Sequence, residues 1–430
     1  MRISTGLYKA FLRVENENEW GVLNTDYLTN STLLFVSGSN INLQMDKEED
    51  TAILGASFPS DYVIINKKVQ GSFNFTGHPE NLNLLYYLHF GKVLKDNSNK
   101  AIIGGLGIFY TGNLQSCLIE TDASSLNIKA GAEEAENIIL SVDLTINNTI
   151  KKVYDYIKNN GSNLNIFIYG YEDANSNFGS ISLKIKGQNK SPRTGLLNVY
   201  HTSGYSHNIS NLVIGEDKKS FSFLQSLGDA SNVEAFTGCK AGQLTLDIPN
   251  GGLITGTCNL LGKEKNIVDK PTSFIKEKTK PIAAAYVKTY LNGELLGYNN
   301  ISFDYNPNLF TEVEGGSFYQ SEAVHGKKSN LSINITYHYN DISKTKIKQR
   351  FEEDEKVELI IVIESNDYID TNVKYMQIFR FVKCAITESN IDLGGEVINL
   401  PTKLDVLEPD DNEFRAVNIL VNSNISDLTV

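Results

Sequence analysis

The chain has 430 residues, of which 41% are hydrophobic and 21% charged, so it can hold two or three domains with real cores and is not a disordered protein. Its formal net charge of −12 disfavours a protein that grips nucleic acid through the phosphates, but suits one past which DNA slides without sticking. The sequence lacks the run of about eighteen apolar residues that a membrane-spanning helix needs, and its start predicts no signal peptide.

The residue types that usually carry chemistry are scattered. The four cysteines lie far apart without CxxC spacing, which predicts reduced thiols in a chain made in a cytoplasm. The six histidines lack metal-ligand spacing, and Gly104–Gly107 lacks the spacing of a phosphate-binding loop. We therefore predict a non-enzyme with no catalytic residue, cofactor or metal.

The first clear succession of elements lies between residues 40 and 91. It comprises a short strand at Asn40–Met45, a polar loop at 47–63, a strand at Val69–Phe75 and a helix at Pro79–Phe90. Asn-rich and Gly-containing turns join such strands. A low-GC genome would produce the same richness in Asn.

The helix at Pro79–Phe90 carries local signals at both ends. Pro79 suits the first helical position, Glu80 suits the positive N-terminal end, and Gly91 suits the position after the last turn. One stripe of side chains recurs at helical spacing and is predicted to pack on a sheet: Leu82, Leu85, Tyr86 and His89.

A different segment follows, between two polar linkers at 92–99 and 188–193. Strands are predicted around a helix that Asn148 caps, that presents Ile150, Val153, Tyr154 and Ile157 on one face, and that Gly161 ends. We interpret residues 97–193 as a small inserted α+β domain.

After the insert the chain returns to strands. Gln243–Ile248 and Leu253–Leu260 flank the turn at Pro249–Gly252, which predicts a hairpin. The lysine-rich stretch 262–280 is predicted to be an exposed connector.

The order of elements seen near the N-terminus then recurs. A strand at Asn300–Tyr305 precedes a polar loop at 307–327, a strand at Leu331–Tyr337 and a helix at Ile342–Phe351. Three further antiparallel strands are predicted downstream. Two similar units without a catalytic constellation indicate a building block rather than an enzyme.

Several blocks of residues resemble the tail tube proteins of long-tailed bacteriophages. The resemblance covers about residues 1–93 and 200–425 and departs at 97–193. The blocks that carry it are Gly71–Phe75, Pro79–Leu82, Leu84–Leu85, Phe90–Gly91, Phe236–Lys240, Leu244–Leu246, Gly251–Thr257, Leu261–Glu264 and Asn299–Ser302.

This resemblance implies a mainly β fold, a β-sandwich that contributes strands to a closed inner barrel, with short flanking helices. It implies a first tail-tube domain at residues 1–96 plus 194–280 and a second tail-tube domain at 281–430. The insert at 97–193 is expected to face outward, because the lumen of such a tube has no room for an extra domain in each copy. Members with two such domains assemble as trimers with pseudo-sixfold symmetry, whereas members with one assemble as hexamers. The duplication favours the trimer.

The resemblance also implies partners and a location. The chain would assemble with itself into stacked rings, contact tape measure, terminator and distal tail proteins, and let genomic DNA pass without specific binding. It would lie in the tail of the virion, after assembly in the cytoplasm of a bacterial host and without a membrane.

The two polar loops are the predicted contacts between rings, because loops of this length are usually functional or disordered. The residues expected to form salt-sensitive pairs there are Asp46, Lys47, Glu48, Glu49, Asp50, Glu312 and Glu314. In the alternative interpretation both loops are simply solvated.

A second function remains open at this stage. The chain could be a β-sandwich adhesin or decoration protein of a phage particle that binds glycans, with the Tyr-rich insert as the binding part. Glycan binding by the insert would favour it.

Overall fold

A computed structural model of the chain describes residues 8–16, 20–49, 61–94, 100–132, 135–187, 190–213, 216, 218–228, 231–312, 317, 319, 321–395, 397–410 and 414–428. Strands dominate these residues and helices are few and short. The fold is therefore mainly β, which confirms the predicted fold class.

The strands of the first half are β1 (Tyr8–Val14), β2 (Ser31–Leu34), β3 (Val36–Ser39), β4 (Asn42–Glu49), β5 (Tyr62–Thr76), β6 (Gly91–Leu94), β7 (Ile102–Tyr110), β8 (Ser116–Thr121), β9 (Ser125–Ala132), β10 (Ala135–Asp143), β11 (Leu164–Gly170), β12 (Ile181–Lys186), β13 (Thr194–Tyr200) and β14 (Tyr205–Asn211).

Those of the second half are β15 (Phe221–Leu227), β16 (Asn232–Pro249), β17 (Thr255–Gly262), β18 (Glu264–Asp269), β19 (Phe274–Ile275), β20 (Val287–Leu291), β21 (Glu294–Leu296), β22 (Tyr298–Asn306), β23 (Leu309–Phe310), β24 (Val324–His325), β25 (Asn330–His338), β26 (Lys356–Asp370), β27 (Val373–Ser389), β28 (Asn399–Val406) and β29 (Val417–Ser423).

The helices are α1 (Tyr27–Asn30), α2 (Pro79–Phe90), α3 (Ile150–Asn160), α4 (Asp341–Ser343) and α5 (Gln349–Glu352), with a 3₁₀ turn at Ala284–Tyr286 and a π-helical turn at Lys344–Lys348 that joins α4 to α5. Asn340 begins α4 with a reciprocal capping box, in which its side chain accepts from the Ser343 N–H. The predicted helix at Ile342–Phe351 lies within this composite helix.

Helix α2 has the predicted ends. Pro79 occupies its first turn, and Gly91 follows it in the left-handed conformation with φ of 84° and donates its N–H to the Tyr87 carbonyl. All residues of α2 are buried, so the predicted stripe of Leu82, Leu85, Tyr86 and His89 is buried as expected, and the other sides of the helix are buried as well. Glu80, Asn81, Asn83 and His89 are buried together with the apolar residues, so the burial of this helix goes beyond what its apolar stripe predicts.

Helix α3 is capped one residue later than predicted. Thr149, not Asn148, is the N-cap: its hydroxyl accepts from the Lys152 N–H at 3.3 Å. Asn148 instead accepts from the Lys152 ammonium at 3.0 Å. Gly161 follows the last turn and donates its N–H to the Ile157 carbonyl, as expected.

Residues 102–200 build two small sheets around their own core. One has the order β10–β9–β8–β12 and the other the order β11–β7–β13, and Ile150, Val153 and Ile157 of α3 are buried among their side chains. Strand β13 begins at Thr194 and pairs with β7. The division of the chain into domains stays a prediction.

The remaining long strands join one large sheet that covers both predicted tail-tube domains. Its main core includes side chains from both, from Ala10 to Leu428. Within the described residues, no helix is both long and apolar enough to cross a membrane.

Two segments predicted to be linkers are in fact partly strands. Residues 92–94 belong to β6, which pairs with β14, and the stretch 262–280 contains β18, which pairs with β16. Glu277, in the same stretch, is only 7% exposed. The polar composition correctly predicted that the side chains of β18 are exposed or half-buried. It did not predict that the backbone of β18 pairs with β16.

Candidate assembly site

One pattern of strand pairing occurs twice in the large sheet. The first set of strands comprises β1, β2, β4, β5, β15, β16, β17 and β18, which pair as β1–β2, β1–β15, β4–β5, β5–β17, β17–β16, β16–β15 and β16–β18. The second set pairs as β20–β21, β20–β26, β22–β25, β25–β28, β28–β27, β27–β26 and β27–β29. Every pairing is antiparallel.

The two sets also match in order along the chain. Helix α2 follows β5, and the composite helix α4–α5 follows β25. Thr76 and His338, the last residues of β5 and β25, pair with Thr255 and Asn399, the first residues of β17 and β28. Corresponding residues can therefore be assigned between the two sets.

The two sets are joined through direct backbone pairing. The C-terminal half of β16 pairs with β22 in antiparallel register, with Leu246 opposite Phe303 and Thr245 opposite Asp304. Because of this junction, the strands run without a break in the order β4–β5–β17–β16–β22–β25–β28–β27.

The two faces of this run differ in chemistry, as the alternation of side chains in strands requires. One face belongs to the core, where a single row across neighbouring strands holds the buried Leu246, Phe303, Ile333 and Leu404. The next row lies on the opposite, partly exposed face and is polar: Asn74, Thr257, Thr245, Asp304, Ser332 and Asp405.

Side-chain hydrogen bonds between strands order this polar face. The Thr257 hydroxyl donates to the Asn74 amide oxygen at 2.7 Å, and the Gln243 amide donates to Asp304 at 2.7 Å. Apart from the Asp304 carboxylate, the side chains in these hydrogen bonds are uncharged amides and hydroxyls.

The first predicted loop is shorter than expected. Lys47, Glu48 and Glu49 lie in β4, opposite Ile64, Val63 and Tyr62 of β5. The prediction of a loop at 47–63 was therefore wrong at both ends. Lys47–Glu49 are polar because the strand extends into solvent, whereas Tyr62 and Val63 at the other end are apolar although they are exposed. Asp50 lies outside the described residues.

Asp46 already has partners within the chain. Its carboxylate accepts from Lys68 at 3.2 Å and from Asn66 at 3.0 Å, and these hydrogen bonds hold its pKa below the usual value. Lys47, Glu48 and Glu49 are exposed at the end of the hairpin.

The second predicted loop contains the short pair β23–β24, so the loop at 307–327 was also wrong in part. Glu312 donates its N–H to the Ser321 hydroxyl at 3.0 Å, and Glu314 lies outside the described residues. Tyr319 forms a bridge with Lys67 of β5, so this region contacts the β4–β5 hairpin just beyond the first predicted loop.

Sequence reasoning missed two buried lysines near the junction of the two sets. Lys240 of β16 pairs with Glu322 at 2.5 Å. The Lys218 ammonium donates to the Ala241 carbonyl at 3.3 Å and lies 5.2 Å from the centre of the Tyr305 ring. Burial, with the charge of Lys240, lowers the pKa of Lys218 to about 7. Nothing in the local sequence distinguishes either lysine from an exposed one.

A model of the family described as "Phage tail tube protein" matches residues 8–396. No curated protein sequence matches the chain.

Proposed function

The chain belongs to the phage tail tube protein family, and we propose that its copies close into rings that stack into the tube for genome delivery. The family is structural and non-enzymatic, and it places the chain in the tail of the virion. This membership favours the tube over the glycan-binding alternative.

The observation that carries the proposal is the repeated pairing pattern with its junction between β16 and β22. Within one chain, β16 of the first set pairs with β22 of the second set. The strands that correspond to them, at the outer ends of the two sets, can pair in the same way between two copies. Repetition of such a contact around an axis closes a ring and leaves no free edge.

The ring contains three copies, with pseudo-sixfold symmetry, rather than six. Each chain contributes two sets of strands, and the β16–β22 junction already joins them as neighbours. Three chains then supply six sets of strands around the axis.

The polar face of the continuous sheet lines the channel. Its central row is uncharged apart from the carboxylates of Asp304 and Asp405. Such a wall repels phosphates weakly and offers them few cations, so genomic DNA passes without specific binding.

Stacking of rings uses the β4–β5 hairpin with Asp46, Lys47, Glu48 and Glu49. The other predicted contact residues, Asp50, Glu312 and Glu314, act with it. The exposed charges of this hairpin meet the next ring in salt-sensitive contacts. At its ends the tube meets the tape measure, terminator and distal tail proteins, and it assembles in the cytoplasm of the bacterial host.

Electron microscopy of the purified full chain tests the proposal. The expected result is tubes, or rings of three 47.7-kDa chains, with a central channel. Monomers at every salt and protein concentration would contradict it, and rings with six chains would contradict the trimer alone.

A further inference from the structure

The end of β27 departs from its counterpart in the first set. Residues 389–393 correspond to residues 244–248, because Asp392 bridges to Asn399 at the start of β28 as Asp247 pairs with Thr255 at the start of β17. Residues 244–249 pair with β22. Among the described residues, no strand pairs with the corresponding edge of 389–394.

The unpaired segment exposes apolar side chains that its counterpart buries. Ile391 is 36% exposed and Leu393 is 72% exposed, whereas the corresponding Leu246 and Ile248 are 1% and 0% exposed. Ile391 and Leu393 are thus apolar side chains that the described part of this chain leaves exposed to solvent, which indicates that another molecule buries them.

The backbone of this segment has hydrogen-bonding groups that could pair with a second strand on the side opposite β28. Asn390 donates its N–H to the Pro401 carbonyl at 3.3 Å, and Asp392 and Asn399 exchange hydrogen bonds at 2.9 and 3.2 Å. Alternate residues of a strand direct their N–H and C=O groups to opposite sides. Ile391 and Leu393 therefore direct theirs away from β28.

The complementary edge lies at the other border of the sheet, at residues 38–43. Gly38 and Asn42 pair with Asn74 and Gln70 of β5, as Asn300 and Asp304 pair with Thr336 and Ser332 of β25. Residues 38–43 thus correspond to the part of β22 that β16 meets.

In residues 38–43 alternate backbone N–H and C=O groups also point away from β5, where a second strand could pair with them. Asn40 donates its N–H to the Ser72 carbonyl of β5 at 2.9 Å, so the neighbouring Ser39 and Ile41 face outward. Within the part of the chain that the structure describes, the acceptor of the Ile41 N–H is the Ser39 hydroxyl, at a long distance of 3.4 Å. A strand from another copy offers it a better acceptor.

We propose that residues 389–394 of one copy pair antiparallel with residues 38–43 of a second copy, in the register of the β16–β22 junction. This inference rests on the proposed function and specifies which two segments join neighbouring copies in the ring. Ile391 then lies opposite Ile41, as Leu246 lies opposite Phe303, and Asn390 lies opposite Asn42, as Thr245 lies opposite Asp304. The contact covers Ile391 and Leu393 and closes both free edges.

Disulfide trapping tests this register. The double variant Asn42→Cys with Asn390→Cys places thiols at a directly opposed pair, within the reach of a disulfide. The control, Gln44→Cys with Asn390→Cys, places them diagonally, about 7–8 Å apart. The four natural cysteines are buried and form no disulfide, so mild oxidation should act on the introduced pair.

The expected result is covalent trimers from the opposed pair, in at least tenfold greater yield than from the diagonal control, within tubes seen by electron microscopy. Tubes that form without this cross-link, or with the diagonal one, would overturn the register and leave the proposed function standing. Absence of both tubes and cross-links would overturn both.

An edge variant gives an independent measurement. Leu393→Lys should leave the fold of the monomer intact, since Leu393 is 72% exposed, and should abolish rings by placing a buried charge at the junction. Ile138→Lys, at an insert residue that is 59% exposed, is the matched control and should assemble normally. Normal rings from Leu393→Lys would contradict the inference.

Discussion

At the scale of single residues, Glu358 links the insert to the large sheet. Its carboxylate accepts from the Arg380 guanidinium at 2.8 Å and from the backbone N–H groups of Arg193 and Thr194 at 3.0 and 3.1 Å. The side chain is 3% exposed. Since β13 begins at Thr194, this one carboxylate joins the small sheet β11–β7–β13 to β27.

Glu358→Ala should therefore lower the free energy of unfolding by about 3–5 kcal/mol, because it leaves the largely buried Arg380 without its counter-charge. Denaturant unfolding at pH 7 measures the loss. Glu120→Ala removes the half-exposed pair with Lys129 and should cost less than about 1 kcal/mol. Equal losses in the two variants would show that Glu358 has no special role.

A second residue-scale feature surrounds the start of α2. The Glu277 carboxylate accepts from the N–H groups of Glu80 and Asn81 at 2.8 and 2.9 Å. The Glu80 carboxylate accepts from the Ser423 hydroxyl and the Asn424 N–H, both at 2.6 Å. Burial raises the pKa of Glu80 to about 7 and raises the pKa of Glu277.

The raised pKa of Glu80 makes stability depend on pH. Between about pH 4.5 and 7 the folded chain holds a proton on Glu80 that the unfolded chain has released, so this contribution to stability falls as pH rises. Its total size is up to about 3 kcal/mol. We predict that Glu80→Gln removes this part of the decline, measured by denaturant unfolding from pH 4 to 8.

Glu277 retains its own dependence in that variant, so the slope should decrease without vanishing. Glu48→Gln, at an exposed site of the β4–β5 hairpin, should leave the profile unchanged. A Glu80→Gln profile parallel to that of the natural chain would contradict the prediction.

At the scale of elements, the sequence predicted where helix α2 begins and ends, but it did not predict that other elements bury the helix on all sides. The ends of α2 were predictable because Pro79 and Gly91 act on the backbone beside them. Its complete burial depends on β14, β16 and β29, which contact the helix from positions far along the chain. No periodicity within twelve residues of helix reports neighbours of that kind.

The candidate site shows the same division. Polar residues at 47–49 suggested a loop, although they form paired strands, because solvent on both sides of a hairpin removes the alternation that identifies a strand. The segments 38–43 and 389–394, which have no second strand partner among the described residues, could not be recognised as edges from the sequence, since an edge is defined by register with other strands.

Gly91 offers a test of element-scale packing. Its φ of +84° disfavours a side chain, and an added methyl group would also lie 2.7 Å from Leu212 Cδ1. Gly251 has a similar φ of +73°, with open space around it. Gly91→Ala should therefore destabilise by about 2–3 kcal/mol and Gly251→Ala by about 1–2 kcal/mol.

Thermal and denaturant unfolding of both variants would measure the two losses of stability. Because both glycines have a positive φ, the difference between the losses reports the packing against Leu212 at the end of α2. Equal losses would mean that Leu212 relaxes freely and that the helix end is not tightly enclosed.

At the scale of the whole molecule, the two sets of strands share their interior. Gln377 of β27 donates to the Pro79 carbonyl at 3.3 Å and to the Asn83 amide oxygen at 3.0 Å. Strand β29 pairs with β14, and β16 pairs with β22. The two similar halves are therefore not independent bodies joined by a linker.

This shared interior predicts that neither half folds alone. Residues 281–430 expressed by themselves should lack cooperative unfolding, because separation exposes the β22 edge and the apolar side chains of both halves that pack together in the main core. Co-expression with residues 1–280 should restore a soluble complex, since the lost contacts are non-covalent. Near-ultraviolet circular dichroism and size-exclusion chromatography would distinguish the two states. A cooperative, monomeric 281–430 fragment would show that each set of strands closes its own core, and the β16–β22 junction would then be an optional contact rather than part of the fold.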